Sequence, residues 1–514
     1  MRAEHPHIEL PRNDREPRQI QLAAVSRVAG LPLGAQPIAW ETPDRLTVIV
    51  PLDPERVAAV RRALAVVEDS IRHDNSALAK VAGIHVARWV LLPSRVRERG
   101  IEVRPSLVMA TVFDGTREKH LDTLATTARP LLDWIYGNGN CPDYPERAQI
   151  ATDVCDFLER HEDHGRVAQY VGTPGRSVQT IVDEDRLTQC LAEFVRSLPT
   201  DLPNTQVFLE AKRFVGDEGN GLAKQDRALA RFAQTPVEPP PRRSLLRRLL
   251  GVAGITTPAV VGIVVAVALG LAVGLWFGPL AGLGLGATVL LAEVGFVAMV
   301  AAVWTLLLVA VVEPRETLEW IQASPSEFRK HNSDLRTADN EGPGMNRMTI
   351  LTDVKPGRLR AWTMRFVLWL IDFRSRGNFE GNLQGVETIH FAEWRLVDGG
   401  RRLLFSSNYD GSALSYFADF SENAAPGVNA IWSNTEGFPP TTALIGEGSR
   451  DLEAFENAAR IHQIATDVWY CGYPNRRFTT RRINDNARVH RLLTEFPTPS
   501  EVAEWLAILR GYAA

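Results

Sequence analysis

The sequence predicts an α+β fold made of two copies of one unit, with an apolar two-helix hairpin inserted between them. Three observations carry that reading. The first is a set of repeated blocks. Leu46-Thr47-Val48-Ile49-Val50, followed by Pro54 and Arg56, returns as Met348-Thr349-Ile350-Leu351-Thr352, followed by Pro356 and Arg358. Ile84-His85-Val86-Ala87-Arg88-Trp89 returns as Ile389-His390-Phe391-Ala392-Glu393-Trp394, Phe113-Asp114-Gly115 as Tyr409-Asp410-Gly411, Tyr170-Val171-Gly172 as Tyr470-Cys471-Gly472, and Phe194 as Phe496. The second is the spacing: offsets of 302, 305, 296, 300 and 302 are nearly constant, as internal duplication requires. The third is the stretch between the copies, where residues 258–277 carry no charge at all.

Each element follows from local pattern. Leu46 to Leu52 is β-branched and weakly alternating, which predicts a strand. Asp53-Pro54 then opens a helix, with Asp as N-cap and Pro at the first position, and Val57, Val60, Leu64 and Val67 keep helical spacing. Strands are predicted at Ile84–Leu92, Ser106–Phe113 and Arg166–Val171, and helices at Arg117–Leu132, Ala148–Arg160 and Asp183–Leu198. The second copy repeats this, with strands near 347–353, 388–397, 401–409 and 467–472 and helices near 357–374, 412–420, 450–463 and 484–496. The order β-α-β-β-α-β with extra helices is the ferredoxin-like arrangement. Two such units with matched edges pack as a pseudo-dimer, whose sheets face each other or share a barrel around a crevice.

The domain plan is then a largely disordered polar N-terminus (1–40), repeat 1 (41–200), a connector with a Pro/Arg-rich end (201–249), the hairpin (250–313), a polar connector (314–343), repeat 2 (344–500) and a C-terminal helix (501–514). The hairpin is predicted to span a bilayer twice, at about 258–277 and 286–312, because twenty apolar residues in a helix reach about 30 Å. Arg242, Arg243, Arg247 and Arg248 before it and Arg315 after it place both ends, and so both repeats, in the cytoplasm. Gly262, Ala266, Gly270 and Gly274 recur every fourth residue, a face suited to close helix contact and to homo-oligomers in the lipid bilayer. Glu293 is the sole ionisable group in the spans and reads as an interfacial or protonated carboxyl.

Composition excludes several classes. A net charge of −4 gives no basic field for nucleic acid. Cys141, Cys155, Cys190 and Cys471 form no CxxC, so neither a thiolate zinc site nor a disulfide framework is indicated. There is no P-loop, HExxH or GxSxG. The residues left to carry chemistry are few. Asp410 is a candidate acid or base in a polar run, Ser406-Ser407-Asn408-Tyr409-Asp410. His85 and His390 hold equal strand positions and could face one crevice, with Asn408 as a further ligand-binding candidate. Arg481 and Arg482, beside Asn484, Asp485 and Asn486 at a helix start, could bind an anion. His161 and His164 lack a further metal ligand. Trp134 and Trp432 read as matched core anchors.

The paired units resemble the dimeric α+β barrel superfamily, and within it the tandem ferredoxin-like plan of dye-decolourising haem peroxidases. The resemblance covers both repeats. That family carries a GxxDG motif, and the nearest match here is Ser407-Asn408-Tyr409-Asp410-Gly411, which lacks the first Gly. It implies Asp410 as a distal catalytic residue and His462 or His490 as a proximal haem ligand. Two functions therefore stand as expectations: a two-span membrane protein displaying a cytoplasmic pseudo-dimeric module that binds a ligand or protein, or a membrane-anchored haem peroxidase.

Overall fold

The computed structural model describes residues 37–239 (except 74–75, 97–101, 139–140, 146–150, 166, 218 and 220), 303–304, 306–307, 310, 312–315, and 344–512 (except 376–382, 384, 475–477 and 496). The fold is α+β with antiparallel sheets. It divides into two compact units, one holding residues 41–179 and 240–482, the other 1–40, 180–239 and 483–514.

The first unit contains eight main strands: β1 (Asp44–Pro51), β2 (Ile84–Leu92), β3 (Ser106–Phe113), β4 (Val167–Val171), β5 (Met345–Asp353), β6 (Ile389–Val397), β7 (Arg402–Asp410) and β8 (Val468–Cys471). They lie within a few residues of their predicted positions. What the sequence did not predict is how they associate. One sheet runs β1-β3-β2-β8 and the other β4-β6-β7-β5, so the fourth strand of each half sits in the other half's sheet. Val468–Cys471 pairs with Val86–Trp89, and Val167–Val171 with Phe391–Arg395, both antiparallel.

The residues just ahead of each exchanged strand remain beside their own half. Ile49 N–H donates to His161 O and Asp163 N–H to Thr47 O; Leu351 N–H donates to His462 O and Ile464 N–H to Thr349 O. Single backbone bridges, Val48 with Glu162 and Ile350 with Gln463, therefore link the outer strands of the two sheets into a circuit of eight strands.

Helices pack on the outside of each sheet. Here α1 (Val57–Arg72), α2 (Arg117–Thr126) and α3 (Ala151–Arg160) cover the first sheet, and α7 (Arg358–Ser375), α8 (Ala413–Asn423), α9 (Ala425–Trp432) and α10 (Leu452–Ile461) belong to the second half. Helix α1 buries Val60, Leu64, Val67 and Ile71, the i, i+4, i+7 stripe its spacing predicts. Two separate outer cores result. On the opposite faces, Val90, Leu92 and Val108 of one sheet meet Leu351, Val397 and Leu404 of the other in one buried cluster. Because side chains alternate along a strand, Arg88 shares that inner face with Val90, Arg395 with Val397, and Asn408 with Leu404.

The second unit is helical. It takes most of α4 (Val178–Ser197) and α11 (Thr480–Thr494), with α5 (Asn204–Gly216), α6 (Arg227–Gln234) and α12 (Pro499–Gly511). Its core joins Leu187, Leu191, Phe208, Leu229, Val489, Leu492 and Trp505, and Trp505 donates its indole N–H to Val489 O at 3.1 Å. The final helix of each predicted repeat thus belongs mainly to this unit, which the repeat boundaries 41–200 and 344–500 did not foresee.

The membrane reading is corrected. Among the described residues, no helix is long and apolar enough to cross a membrane. Residues 258–277, with Gly262, Ala266, Gly270, Gly274 and, further on, Glu293, lie outside the described residues. The described end of the second apolar run is tied into the first unit by polar bonds. The Trp304 indole donates to Thr363 Oγ1 at 2.9 Å, and the buried Glu313 carboxylate accepts the N–H groups of Ala443 and Leu444 at 2.9 and 2.7 Å. Both of those residues have positive φ, 50° and 68°, so the carboxylate holds a strained turn. A two-span protein, and the cytoplasmic orientation deduced from the spans, find no support here.

Candidate functional site

Two symmetric clamps account for the predicted polar residues. Each pairing of the second strand with the third is interrupted by a bulge, between Ile84 and Val86 in one sheet and between Ile389 and Phe391 in the other, so the bulged residue is His85 or His390. A bulge turns its side chain out of the regular alternation. His85 Nε2 donates to Asp114 Oδ1 at 2.8 Å, and His390 Nε2 to Asp410 Oδ1 at 2.7 Å. The second oxygen of each Asp accepts the N–H that opens the next helix, Val178 for Asp114 at 2.8 Å and Thr480 for Asp410 at 2.7 Å. A carboxylate that caps a helix and fixes a buried imidazole joins sheet to helix. Both rings are fully buried.

The halves differ at the other ring nitrogen. Tyr473 Oη lies 2.7 Å from His85 Nδ1, and burial lifts the Tyr473 phenol well above its ordinary range, so it keeps its proton and donates it to the ring. Among the described residues, His390 Nδ1 has no partner, and Thr173, at the position matching Tyr473, has a buried hydroxyl also without one. Asp410 is therefore a helix-capping residue bound to His390, a contact the sequence reading did not foresee.

Asn408 lies on the inner face with Arg88, whose guanidinium donates to its Oδ1. Arg481 and Arg482 sit in the first turn of α11; Arg481 is exposed and the Arg482 guanidinium lies 5.5 Å from the Phe478 ring.

The haem reading gains no support. Among the described residues, no group of three or more His, Cys, Asp or Glu could hold a metal ion. His490 belongs to the helical unit, where its Nε2 donates to Phe232 O at 3.0 Å and its ring stacks on Phe232 at 4.5 Å. His462 sits against Gly437, whose added Cβ would fall 2.6 Å from its Nε2.

The strongest site was not predicted. Between the second sheet and helices α8, α9 and α10 lies an apolar cavity of about 70 Å³, walled by Trp394, Phe405, Phe417, Phe420, Trp432 and Phe455. Thr435, Glu436 and His462 supply polar lining. Tyr416 also lines it, but its hydroxyl is spent on Ser407 Oγ at 2.7 Å. The matching region of the first half is filled: Trp89 donates its indole N–H to Tyr136 OH at 3.3 Å, and Tyr136, Tyr144 and Phe157 pack ring to ring at 4.9 to 5.6 Å. By the 296-residue offset, Tyr136 corresponds to Trp432. The exchange removes the hydroxyl, and the indole N–H of Trp394, a residue 3% exposed, has no acceptor among the described residues.

The sequence carried that signal, but the match of Trp134 with Trp432 concealed it. Trp134 is 44% exposed and anchors no core. A retained void forfeits contacts on every wall. Val428→Ile, adding one methylene to the lining, is therefore expected to raise stability by about 0.5–1 kcal/mol. The check is a shift of the urea midpoint at unchanged slope.

No family model matches the sequence, and no curated protein or solved structure matches it.

Proposed function

We propose that this protein binds a small molecule in the second-half cavity. The ligand has a short apolar body and one hydrogen-bond acceptor, as in a short-chain ketone, aldehyde or acyl group. One pairing of observations carries the reading: Trp394 lines an apolar cavity and its buried N–H has no acceptor among the described residues, while Trp89 has its acceptor in Tyr136. An unpaired buried donor costs about 1–3 kcal/mol, which a ligand oxygen would recover. The volume of about 70 Å³ is near half that of voids known to admit benzene, so the apolar body is roughly three carbons. The paired His–Asp clamps are not the working site, because their carboxylates are spent on helix starts and their rings have no exposure.

The test is a titration with 2-butanone, read on the indole N–H resonances in a ¹H–¹⁵N spectrum. The Trp394 resonance, assigned by its loss in Trp394→Phe, should move saturably. The phenylalanine variant should bind the ketone about tenfold more weakly while binding xenon undiminished. A Trp394 resonance indifferent to the ketone, or equal ketone affinity in the variant, would refute the assignment.

We also infer that the two halves are ferredoxin-like units derived from one ancestor, in the manner of the dimeric α+β barrel superfamily. The constant offset, the bulge at the same histidine in each half and the reciprocal exchange of fourth strands support this.

A further inference from the structure

The inner face of the eight-stranded circuit carries a charge imbalance with a definite place. Glu393 is satisfied twice, by Arg45 at 3.1 Å and by Arg395 at 2.7 Å, and Arg395 also reaches Asp163 at 2.5 Å. By the repeat offsets of 302 and 305, Arg45 corresponds to Arg347 and Glu393 to Arg88. On one side of the circuit the matched pair is therefore cation and carboxylate. On the other it is two cations. Arg347 lies 3.6 Å from Glu68 and 5.1 Å over the Trp469 ring. Arg88 has no carboxylate within ion-pair distance among the described residues, and its hydrogen bonds go to uncharged oxygens: Met348 O at 3.2 Å, Ser407 O at 3.3 Å and Asn408 Oδ1. Arg88 is 5% exposed and Asn408 1% exposed.

The amide of Asn408 sharpens this. Its oxygen must face Arg88, because a guanidinium only donates. Its Nδ2 is buried without an acceptor among the described residues. A buried guanidinium with no directly bonded carboxylate and a buried amide lacking an acceptor thus share one contact. Each is costly alone, and one anion would relieve both. Burial first, and the neighbouring Arg347 after it, hold the Arg88 guanidinium down at about 10, against an upward pull from Glu393.

We propose that Arg88 and Asn408 form a binding site for a small carboxylate anion on the inner face of the strand circuit. The ligand carboxylate takes the place that the Glu393 side chain fills on the matched side: one oxygen accepts from Arg88 and the other from Asn408 Nδ2. The site is distinct from the Trp394 cavity, which lies on the outer face of the second sheet, and it stands or falls separately.

The experiment uses the full chain and acetate as the probe. Thermal unfolding is followed in rising sodium acetate, with ionic strength held constant by choline chloride. The wild-type midpoint should rise saturably. Asn408→Asp places a carboxylate beside Arg88 permanently; its midpoint should exceed wild type without acetate and no longer respond to it. Arg88→Met should also abolish the response, whereas Arg481→Gln, an exposed cation, should keep it. A wild-type midpoint indifferent to acetate overturns the site. So does an Asn408→Asp variant that still responds as wild type does. An equal rise when phosphate replaces acetate at constant ionic strength overturns the carboxylate assignment.

Discussion

Gly172→Ala and Gly472→Ala are each expected to destabilise the protein by about 3 kcal/mol or more, and together to prevent folding. Both glycines end an exchanged strand and donate their N–H to the backbone of a bulged histidine, Gly172 to His390 O at 2.8 Å and Gly472 to His85 O at 2.9 Å. A Cβ at either position would lie 1.9 Å from a carbonyl oxygen, Ile389 O or Ile84 O. The obstacle is backbone within a sheet, so no side-chain rotation relieves it. Gly411→Ala is the control. That residue has φ of 79° with nothing within 4 Å of its would-be Cβ, so its cost is left-handed strain alone, about 1 kcal/mol. Urea unfolding of the three variants checks the order. If Gly172→Ala and Gly411→Ala lose equal stability, the close approach of exchanged strand to bulge is wrong.

Glu393→Ala is expected to cost about 3–5 kcal/mol, because it strands Arg45 and Arg395 in a buried place with one carboxylate fewer. The same carboxylate gives an acid limb to stability. Burial alone would raise its pKa, but the charges of Arg395 and Arg45, with their hydrogen bonds, bring it down from 4.5 to about 2. The folded value lies below the unfolded one, so the contribution is complete above about pH 4.5 and is lost as pH falls through 2. At 1.36 kcal/mol per unit the window is worth roughly 3 kcal/mol. Urea midpoints between pH 5 and 2.5 should fall steeply in the wild type and less steeply in Glu393→Gln. Parallel curves would remove Glu393 from the acid limb.

Much of the fold was legible because it is local. The β-branched run from Leu46, the helical stripe of α1 and the strand at Ile84–Leu92 each follow from patterns a few residues long, and the structure keeps them. The His–Asp contact was half legible. Repetition marked His85, His390, Asp114 and Asp410, but nothing in the chain said that each histidine is the bulged residue and each Asp a cap for a helix some 65 residues further on. The second apolar run shows the opposite hazard. Hydropathy reports that a segment avoids water, not which apolar medium it enters, and the described end of that run bonds to Thr363 and to the 443–444 turn.

By itself the sequence determined the class and most of the element order, because periodicity is a property of neighbours along the chain. Only the tertiary structure decided that Val167–Val171 and Val468–Cys471 join the sheets they do, and that among the described residues Arg88 bonds no carboxylate and the N–H of cavity-lining Trp394 has no acceptor. Those facts depend on which distant residues share a face, and the free energy of burying a charge or a donor is set by what stands opposite it in space.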